Sequence, residues 1–197
     1  MGRGQSRWAL LKKILLHTCC APCTIYPLRI LREEGNEVQG LFYNPNIHPY
    51  MEYKRRFDTL KAYADQVGFQ LMGDDACPFE DFLRQVVFHE DDRCRYCYRI
   101  RLFQAARIAR EQGFDAFTTT LLYSRYQKHD LIRQIAEEEG KNQGVPFLYH
   151  DFREGWVEGI QASKEMGMYR QPYCGCIYSE NERYYRRPQN KSVKPSA

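Results

Sequence analysis

The chain has 197 residues, 43% of them hydrophobic and 27% charged, which are ordinary values for a globular domain long enough to bury a core. It contains no run of about 18 apolar residues, and residues 1–13 are polar and basic, so we expect a cytoplasmic protein without a membrane span or secretory signal. The net charge of +4 combines cationic ends with a body of charge −5. We predict a single domain over residues 13–186, with flexible basic tails at 1–12 and 187–197.

The predicted elements begin with a buried strand at residues 14–18, an apolar run that ends in a Cys-Cys-Ala-Pro-Cys turn. Pro22 suits the first turn of the helix that follows, and Gly35 marks the end of that helix. A second strand is predicted at 37–43. Apolar residues at three- and four-residue spacings then indicate a helix over 50–67.

The second half of the chain continues this alternation. Its predicted elements are a strand at 69–72, a helix at 79–88, a cysteine turn that leads into a helix over 94–112, a strand at 116–120, a helix at 126–139, a strand at 146–149 and a helix at 156–166. Strands that alternate with helices predict an α/β fold with a mainly parallel sheet. In such a sheet ligands bind at the carboxyl ends of the strands.

Clustered cysteines in a reducing compartment more often bind metal or carry out redox chemistry than form structural disulfides, and this chain has eight. Cys19 and Cys20 are adjacent after the first strand, and Cys94 and Cys97 form a C-x-x-C turn before a helix. Together they supply enough thiolates for a zinc ion or a four-cysteine iron–sulfur cluster. An adjacent pair is awkward for one small tetrahedral ion, so the spacing favours a cluster over zinc. Reactive thiols without metal are the third interpretation.

The other four cysteines have different predicted roles. A disulfide between Cys174 and Cys176, across a single glycine, would close a strained and easily reduced ring. This favours an exchangeable dithiol over a structural disulfide, and two free thiols are the alternative. Cys23 is either a further metal ligand or a small core residue, and we interpret Cys77 as a bystander.

Polar side chains in two loops are candidates for substrate binding. Asn46 and His48 lie in a proline-bounded loop, where turn chemistry is the alternative role. Further candidates surround the end of the strand predicted at 116–120, where strand propensity and helix capping are the alternatives: Thr120, Ser124, Tyr126, Gln127 and His129. Glu52 and Arg56 lie four apart on a helix and are expected to form a weak ion pair. His17 is more typical of a satisfied core histidine than of a catalyst.

Six motifs in sequence order resemble epoxyqueuosine reductases of the QueH family, the cobalamin-independent enzymes of queuosine tRNA modification. The motifs are Leu-Leu-His-Thr-Cys-Cys-Ala-Pro-Cys at 15–23, Phe-Tyr-Asn-Pro-Asn-Ile-His-Pro at 42–49 with Glu52-Tyr53, Cys-Arg-Tyr-Cys-Tyr-Arg-Ile-Arg-Leu at 94–102, Thr-Thr-Thr-Leu-Leu-Tyr-Ser at 118–124, Tyr-Gln-Lys-His at 126–129 and Gln-Pro-Tyr-Cys-Gly-Cys-Ile-Tyr-Ser at 171–179. Each motif alone would be weak, whereas all of them in order are specific. The resemblance covers about residues 13–186.

The resemblance implies reduction of the epoxide of epoxyqueuosine, at the tRNA wobble position, to the alkene of queuosine in the last step of its synthesis. It also implies four ligands of a [4Fe–4S] cluster, namely Cys19, Cys20, Cys94 and Cys97. Cys174 and Cys176 would form a redox-active pair, and Cys23 would be the candidate ligand of an additional iron beside the cluster. The implied fold is Rossmann-like, of the nucleotide-hydrolase type. The implied partners are the tRNA anticodon stem-loop and an electron donor that the sequence does not identify.

Two other functions are alternatives. An ATP-dependent tRNA thiolase has the same kind of fold, but here the turn after the first strand carries Cys-Cys-Ala-Pro-Cys instead of a Ser-Gly-Gly phosphate loop. A non-catalytic, zinc-dependent RNA-binding module is the second alternative, and metal content would separate it from the reductase. For the reductase, we expect basic and aromatic residues near the end of the chain to contact the tRNA: Arg183, Tyr184, Tyr185, Arg186 and Arg187.

Overall fold

A computed structural model describes residues 12–73 and 78–185. Within these ranges four strands form one sheet: β1 (Lys13–Thr18), β2 (Glu37–Phe42), β3 (Leu71–Met72) and β4 (Ala116–Thr119). The strand order is β3-β2-β1-β4, and all three pairings are parallel. The predicted α/β fold with a parallel sheet is therefore confirmed. Cys77 and the segments 1–11 and 186–197, on which the predicted bystander and most of the predicted tails fall, lie outside the described residues.

Seven α-helices lie within the described ranges. They are α1 (Ala21–Glu33), α2 (Tyr50–Gln66), α3 (Phe79–Val86), α4 (Arg93–Glu111), α5 (His129–Gln143), α6 (Trp156–Glu165) and α7 (Ile177–Tyr184). The sequence predicted all of them except α7, which is short and has no buried residue. None of the helices in the described part of the chain is long and apolar enough to cross a membrane.

The position of β1 in the middle of the sheet explains why its sequence is a continuous apolar run. Ile14, Leu15 and Leu16 are completely buried, because β1 lies between two neighbouring strands and is covered on both faces by helices. A strand in this position reads as a continuous apolar run and not as an alternating one. Helix α4 packs against β1, β4 and α5, while α1 packs against α6.

Three predictions about local structure are corrected by the structure, beyond shifts of two or three residues at other element ends. Gly140 does not end α5: an added Cβ there would lie 2.8 Å from the Val145 carbonyl oxygen, so glycine permits a close backbone approach, and Gly144, with φ 70°, ends the helix. The strand predicted at 146–149 is only a parallel bridge between Phe147 and Phe117. The predicted cysteine turn before α4 is instead part of the helix, which begins at Arg93.

The strand order creates a crevice at the carboxyl end of β1. The chain passes from β1 to β2 on one side, whereas β4 pairs with β1 on the other side. Open parallel sheets bind ligands at such a switch point, where the connections from neighbouring strands run in opposite directions. The two loops meet directly there, because the Cys19 amide after β1 donates a hydrogen bond of 3.1 Å to the Thr120 hydroxyl after β4.

Phe88, which follows α3, generates a prediction about stability. It has φ 68° although it is not glycine, and its side chain is 90% exposed. Left-handed backbone costs most L-residues roughly 1–2 kcal/mol, and asparagine tolerates it better. We expect Phe88→Asn to increase the free energy of unfolding by up to about 1 kcal/mol in denaturant titrations. Phe88→Ala removes the same ring but keeps the strain, so equal stability of the two variants would contradict this explanation.

Candidate metal and thiol site

Three thiols converge where β1 ends. The sulfur atoms of Cys19, Cys20 and Cys23 lie within 4.8 Å of one another, and those of Cys19 and Cys20 are 3.8 Å apart. Cys20 is the N-cap of α1 and Cys23 lies in its first turn, so the positive end of the helix faces this triad. Two zinc–sulfur bonds of about 2.3 Å at a tetrahedral angle separate their sulfurs by about 3.8 Å. The triad is therefore spaced to hold a metal ion, and its adjacent pair does not by itself exclude a single ion.

Four further thiols share one pocket. Cys94 and Cys97 lie in the first two turns of α4, and their three-residue spacing places them on one face of the helix. Cys174 and Cys176 line the same pocket. The remaining lining residues are polar or aromatic: Asn46, Phe82, Arg93, Tyr98, Arg101 and Gln127. The structure thus brings the predicted redox pair to the C-x-x-C pair of α4.

Cys174 and Cys176 are free thiols in this structure, as are the other cysteines within the described ranges. A hydrogen bond from Cys176 lowers the pKa of Cys174 to about 5 and raises that of Cys176, so Cys174 is the thiolate of the pair. Gly175 between them has φ 134°, and a Cβ there would lie 3.0 Å from Ile47 and 3.2 Å from the Arg56 guanidinium. The loop therefore requires glycine at this position.

The proline-bounded loop supports the Cys174–Cys176 segment. The His48 amide donates to the Gly175 carbonyl (2.9 Å), the Tyr173 hydroxyl donates to the His48 carbonyl (2.8 Å), and the Ile177 amide donates to His48 Nδ1 (3.4 Å). His48 is thus a structural contact of the thiol loop and does not line the pocket. Asn46 does line it, and its buried Oδ1 has no hydrogen-bond partner within the described part of the chain. Asn46 therefore places an unpaired, buried acceptor beside the pocket.

The predicted pair of Glu52 and Arg56 is confirmed, but it is not a weak surface pair. Arg56 Nε donates to Glu52 Oε1 at 2.7 Å, and the two side chains are only 1% and 9% exposed. The same guanidinium donates to the carbonyls of Cys174 (3.0 Å) and Tyr173 (3.1 Å). This ion pair therefore anchors the backbone that carries the Cys174 thiolate.

Polar groups also donate to the triad. The Thr120 hydroxyl lies 3.3 Å from the Cys19 sulfur, and the Gln171 amide nitrogen lies 2.8 Å from the Cys20 sulfur. Hydrogen bonds with Cys20 and Cys23 lower the pKa of Cys19 further, against the effect of burial. Within the triad, loss of the proton is therefore most favoured at Cys19, and Thr120, a predicted substrate-binding residue, is its direct neighbour.

The other predicted substrate-binding residues divide into two groups. Gln127 lines the pocket and accepts a hydrogen bond of 2.7 Å from the Tyr98 hydroxyl. Ser124, Tyr126 and His129 are not part of the pocket lining. Ser124 Oγ accepts from the Tyr126 amide (3.3 Å), which is a local turn contact and not the helix capping predicted as its alternative role, because Lys128 is the N-cap of α5. His129 is the first residue of α5. Tyr126 is exposed.

His17 is a satisfied core histidine, as predicted. Its Nδ1 lies 2.9 Å from the Thr119 hydroxyl and its Nε2 lies 3.2 Å from the Tyr43 carbonyl, so both ring nitrogens have partners. Complete burial lowers its pKa to about 4, and Arg101 contributes in the same direction. The ring is therefore neutral at physiological pH.

Sequence reasoning missed Arg101 and Gln171, both of which contact cysteine sulfur. A signal for Arg101 was present: it lies on the buried stripe of α4 with Tyr98, Leu102 and Ala105, where a cation needs a specific partner. Gln171 belongs to the motif at 171–179 but lies in no periodic apolar pattern, because its segment is irregular and only the tertiary fold brings it to the end of β1.

Fold and site together define a parallel α/β protein with clustered cysteines, compatible with metal binding, at the switch point of its sheet. Residues 14–182 match the family model described as "Epoxyqueuosine reductase QueH". The chain belongs to this family.

Named relatives agree with the family model. A protein named epoxyqueuosine reductase QueH from Dehalococcoides mccartyi is 38% identical over 172 residues, which are 87% of this chain and 94% of that protein. A protein of the same name from Thermotoga maritima is 34% identical over 86% of this chain and 91% of its own length. A solved structure titled as a predicted subunit of tRNA methyltransferase from Methanocaldococcus jannaschii superposes with a TM-score of 0.48 at 12% identity, over 78% of this chain and 88% of that one. The family assignment rests on the sequence matches.

The buried ion pair generates a prediction about stability. Glu52→Gln leaves Arg56 charged and buried without a carboxylate, and such changes cost about 3–5 kcal/mol. We expect a loss of this size in the free energy of unfolding, measured by denaturant titration. Glu33→Gln is the matched control, because Glu33 pairs with Arg29 at the exposed surface and should lose less than about 1 kcal/mol. Equal losses in the two variants would contradict the anchoring role.

Proposed function

We propose that this protein is an epoxyqueuosine reductase that converts epoxyqueuosine in tRNA to queuosine, and that it does so in the cytoplasm. The reaction adds two electrons and two protons to the epoxide, forms the alkene and releases the oxygen as water. One observation carries the proposal: Cys94, Cys97, Cys174 and Cys176 meet in one pocket of a chain that belongs to this family. Thiols in contact with a pocket provide both metal ligands and an electron source.

The chemistry of the thiol donors supports an iron–sulfur cluster as the proposed cofactor, because cysteine thiolates are the usual ligands of such clusters. We assign its ligands as Cys19, Cys20, Cys94 and Cys97. Two helix amino termini and buried guanidinium groups surround these thiols, and such positive surroundings favour an anionic, all-thiolate centre. Cys23 completes the triad and is the proposed ligand of an adjacent iron. When bound, a [4Fe–4S] cluster supplies one-electron transfer.

Cys174 and Cys176 are the proposed redox-active pair. Oxidation of the two thiols to a disulfide releases two electrons and two protons, which is the stoichiometry that epoxide reduction requires. Three features support this role: the pair shares its pocket with Cys94 and Cys97, Cys174 is the thiolate of the pair, and Cys174 is exposed, so a reductant from outside can reach it.

An activity assay tests the function. Protein purified without oxygen should convert epoxyqueuosine to queuosine in tRNA when a reductant is supplied, as read by mass spectrometry of digested nucleosides. Cys174→Ser should abolish turnover without changing the iron content, because it removes the thiolate and leaves all assigned cluster ligands. Cys77→Ser is the control and should be fully active. Absence of product with the wild-type protein would refute the function, whereas full turnover of Cys174→Ser would refute only the redox pair.

Metal analysis tests the cofactor. Wild-type protein isolated without oxygen should contain acid-labile sulfide and a small excess of iron over sulfide, because the adjacent iron adds to the iron of the cluster. Both should be lost in Cys19→Ser and in Cys94→Ser, because each variant removes one thiolate ligand. Cys77→Ser should retain both. Zinc without sulfide would contradict the cluster and would favour the non-catalytic RNA-binding module.

Basic residues near the end of α7 are proposed to bind the tRNA. Helix α7 begins directly after Cys176, and Arg183 and the neighbouring Tyr184 and Tyr185 are exposed. Exposed arginine and tyrosine side chains next to a catalytic pocket suit phosphates and unstacked bases.

Salt dependence tests this surface. A variant with Arg183, Arg186 and Arg187 all replaced by alanine should bind tRNA more weakly. Its plot of log affinity against log salt concentration should be flatter by about 0.7 to 0.9 for each lost phosphate contact. Replacement of Arg107 and Arg133, two exposed arginines that form local ion pairs on other helices, is the control and should leave the slope unchanged. An unchanged slope in the triple variant would exclude this contact.

A further inference from the structure

Arg101 is a buried cation in direct contact with the thiol pocket. The residue is 3% exposed, and its Nη2 lies 2.9 Å from the Cys97 sulfur. Its Nε donates to the Cys97 carbonyl at 3.0 Å, and its guanidinium lies 5.7 Å from the centre of the Tyr98 ring. These contacts fix one edge of the guanidinium on the backbone and direct the other edge at the sulfur.

The charge of Arg101 has no carboxylate partner within 4.0 Å among residues 12–73 and 78–185. Arg56, the other buried arginine at the site, is paired with Glu52 and is therefore neutralised locally. Burial of an unpaired cation is costly, so a compensating anion is required near Arg101. Cys97 is the group in contact with its free edge, which identifies sulfur as that anion.

Arg101 shares its pocket with two pairs of thiols. Its side chain lines the pocket together with Cys94, Cys97, Cys174 and Cys176. The α4 pair and the redox pair therefore lie around one buried cation.

We propose that Arg101 is a positioning residue that balances the charge of the metal centre and thereby raises its reduction potential. The inference rests on the proposed function, because it assumes the cluster. Each electron that enters the centre adds one negative charge next to a fixed, poorly hydrated cation, which stabilises the reduced state. Arginine suits this role better than lysine because its Nε remains anchored to the Cys97 carbonyl while Nη2 faces the sulfur.

The test compares Arg101→Met and Arg101→Lys with Arg107→Met, a control on the same helix whose arginine pairs with Glu111 at the surface. Each holoprotein is prepared without oxygen, analysed for iron and sulfide, and titrated with redox mediators while the cluster spectrum is recorded. In Arg101→Met we expect the midpoint potential to fall by at least about 59 mV. This corresponds to a tenfold smaller equilibrium constant for one-electron reduction. Arg101→Lys should shift less, and Arg107→Met should match the wild type.

Each outcome supports or overturns the inference. A lowered potential in Arg101→Met supports it, as does loss of the cluster from Arg101→Met but not from Arg101→Lys, because both results depend on charge. An intact cluster with unchanged potential in Arg101→Met overturns it. Loss of the cluster from both variants also overturns it, since shape and not charge would then be decisive. Failure of the proposed cofactor is distinguishable, because it would appear as wild-type protein without iron and sulfide.

Discussion

Anionic sulfur in a buried crevice must be balanced by positive groups, and this constraint organises the site. The triad of Cys19, Cys20 and Cys23 sits at the positive end of α1, and Cys94 and Cys97 sit at the positive end of α4. Because β1 lies between β2 and β4, and α4 packs against both β1 and β4, the amino-terminal ends of α1 and α4 lie at the same region of the sheet. The dipoles of these two helices thus make the potential in the crevice at the switch point positive, and buried guanidinium groups add to it.

The Cys174–Cys176 segment has no regular structure, so it depends on contacts with other elements. Its backbone is bound from two directions: Arg56 of α2, held by Glu52, donates to the Cys174 carbonyl, and the His48 amide of the proline-bounded loop donates to the Gly175 carbonyl. This explains why a proline-bounded loop without a direct role in metal binding belongs to the site. Rigid support of this kind keeps a reactive dithiol next to its partner thiols in the absence of a helix or strand.

The sequence was sufficient for the strands and helices whose residues are decided by local patterns. The apolar run of β1 and the stripes of α2 and α4 follow from periodicity, and six of the helices were predicted to within a few residues. Helix α7 was missed because it buries no residue and so has no periodic apolar face. The end of α5 was misplaced because Gly140, inside the helix, permits a close approach of the Val145 carbonyl, and Val145 lies beyond the helix.

For the site, the sequence by itself determined the kind of chemistry: its cysteines, their spacing and the ordered motifs around them identified a thiol-based centre and the family. Only the tertiary structure decided which groups share a pocket, that Asn46 faces it while His48 supports the thiol loop, and that Arg101 and Gln171 contact sulfur. The physical reason is the separation along the chain of the residues that must act together. Ligand type and helix capping are local properties of a few neighbouring residues, whereas charge compensation in a buried site depends on distances between segments far apart in the chain, such as Cys20 and Gln171.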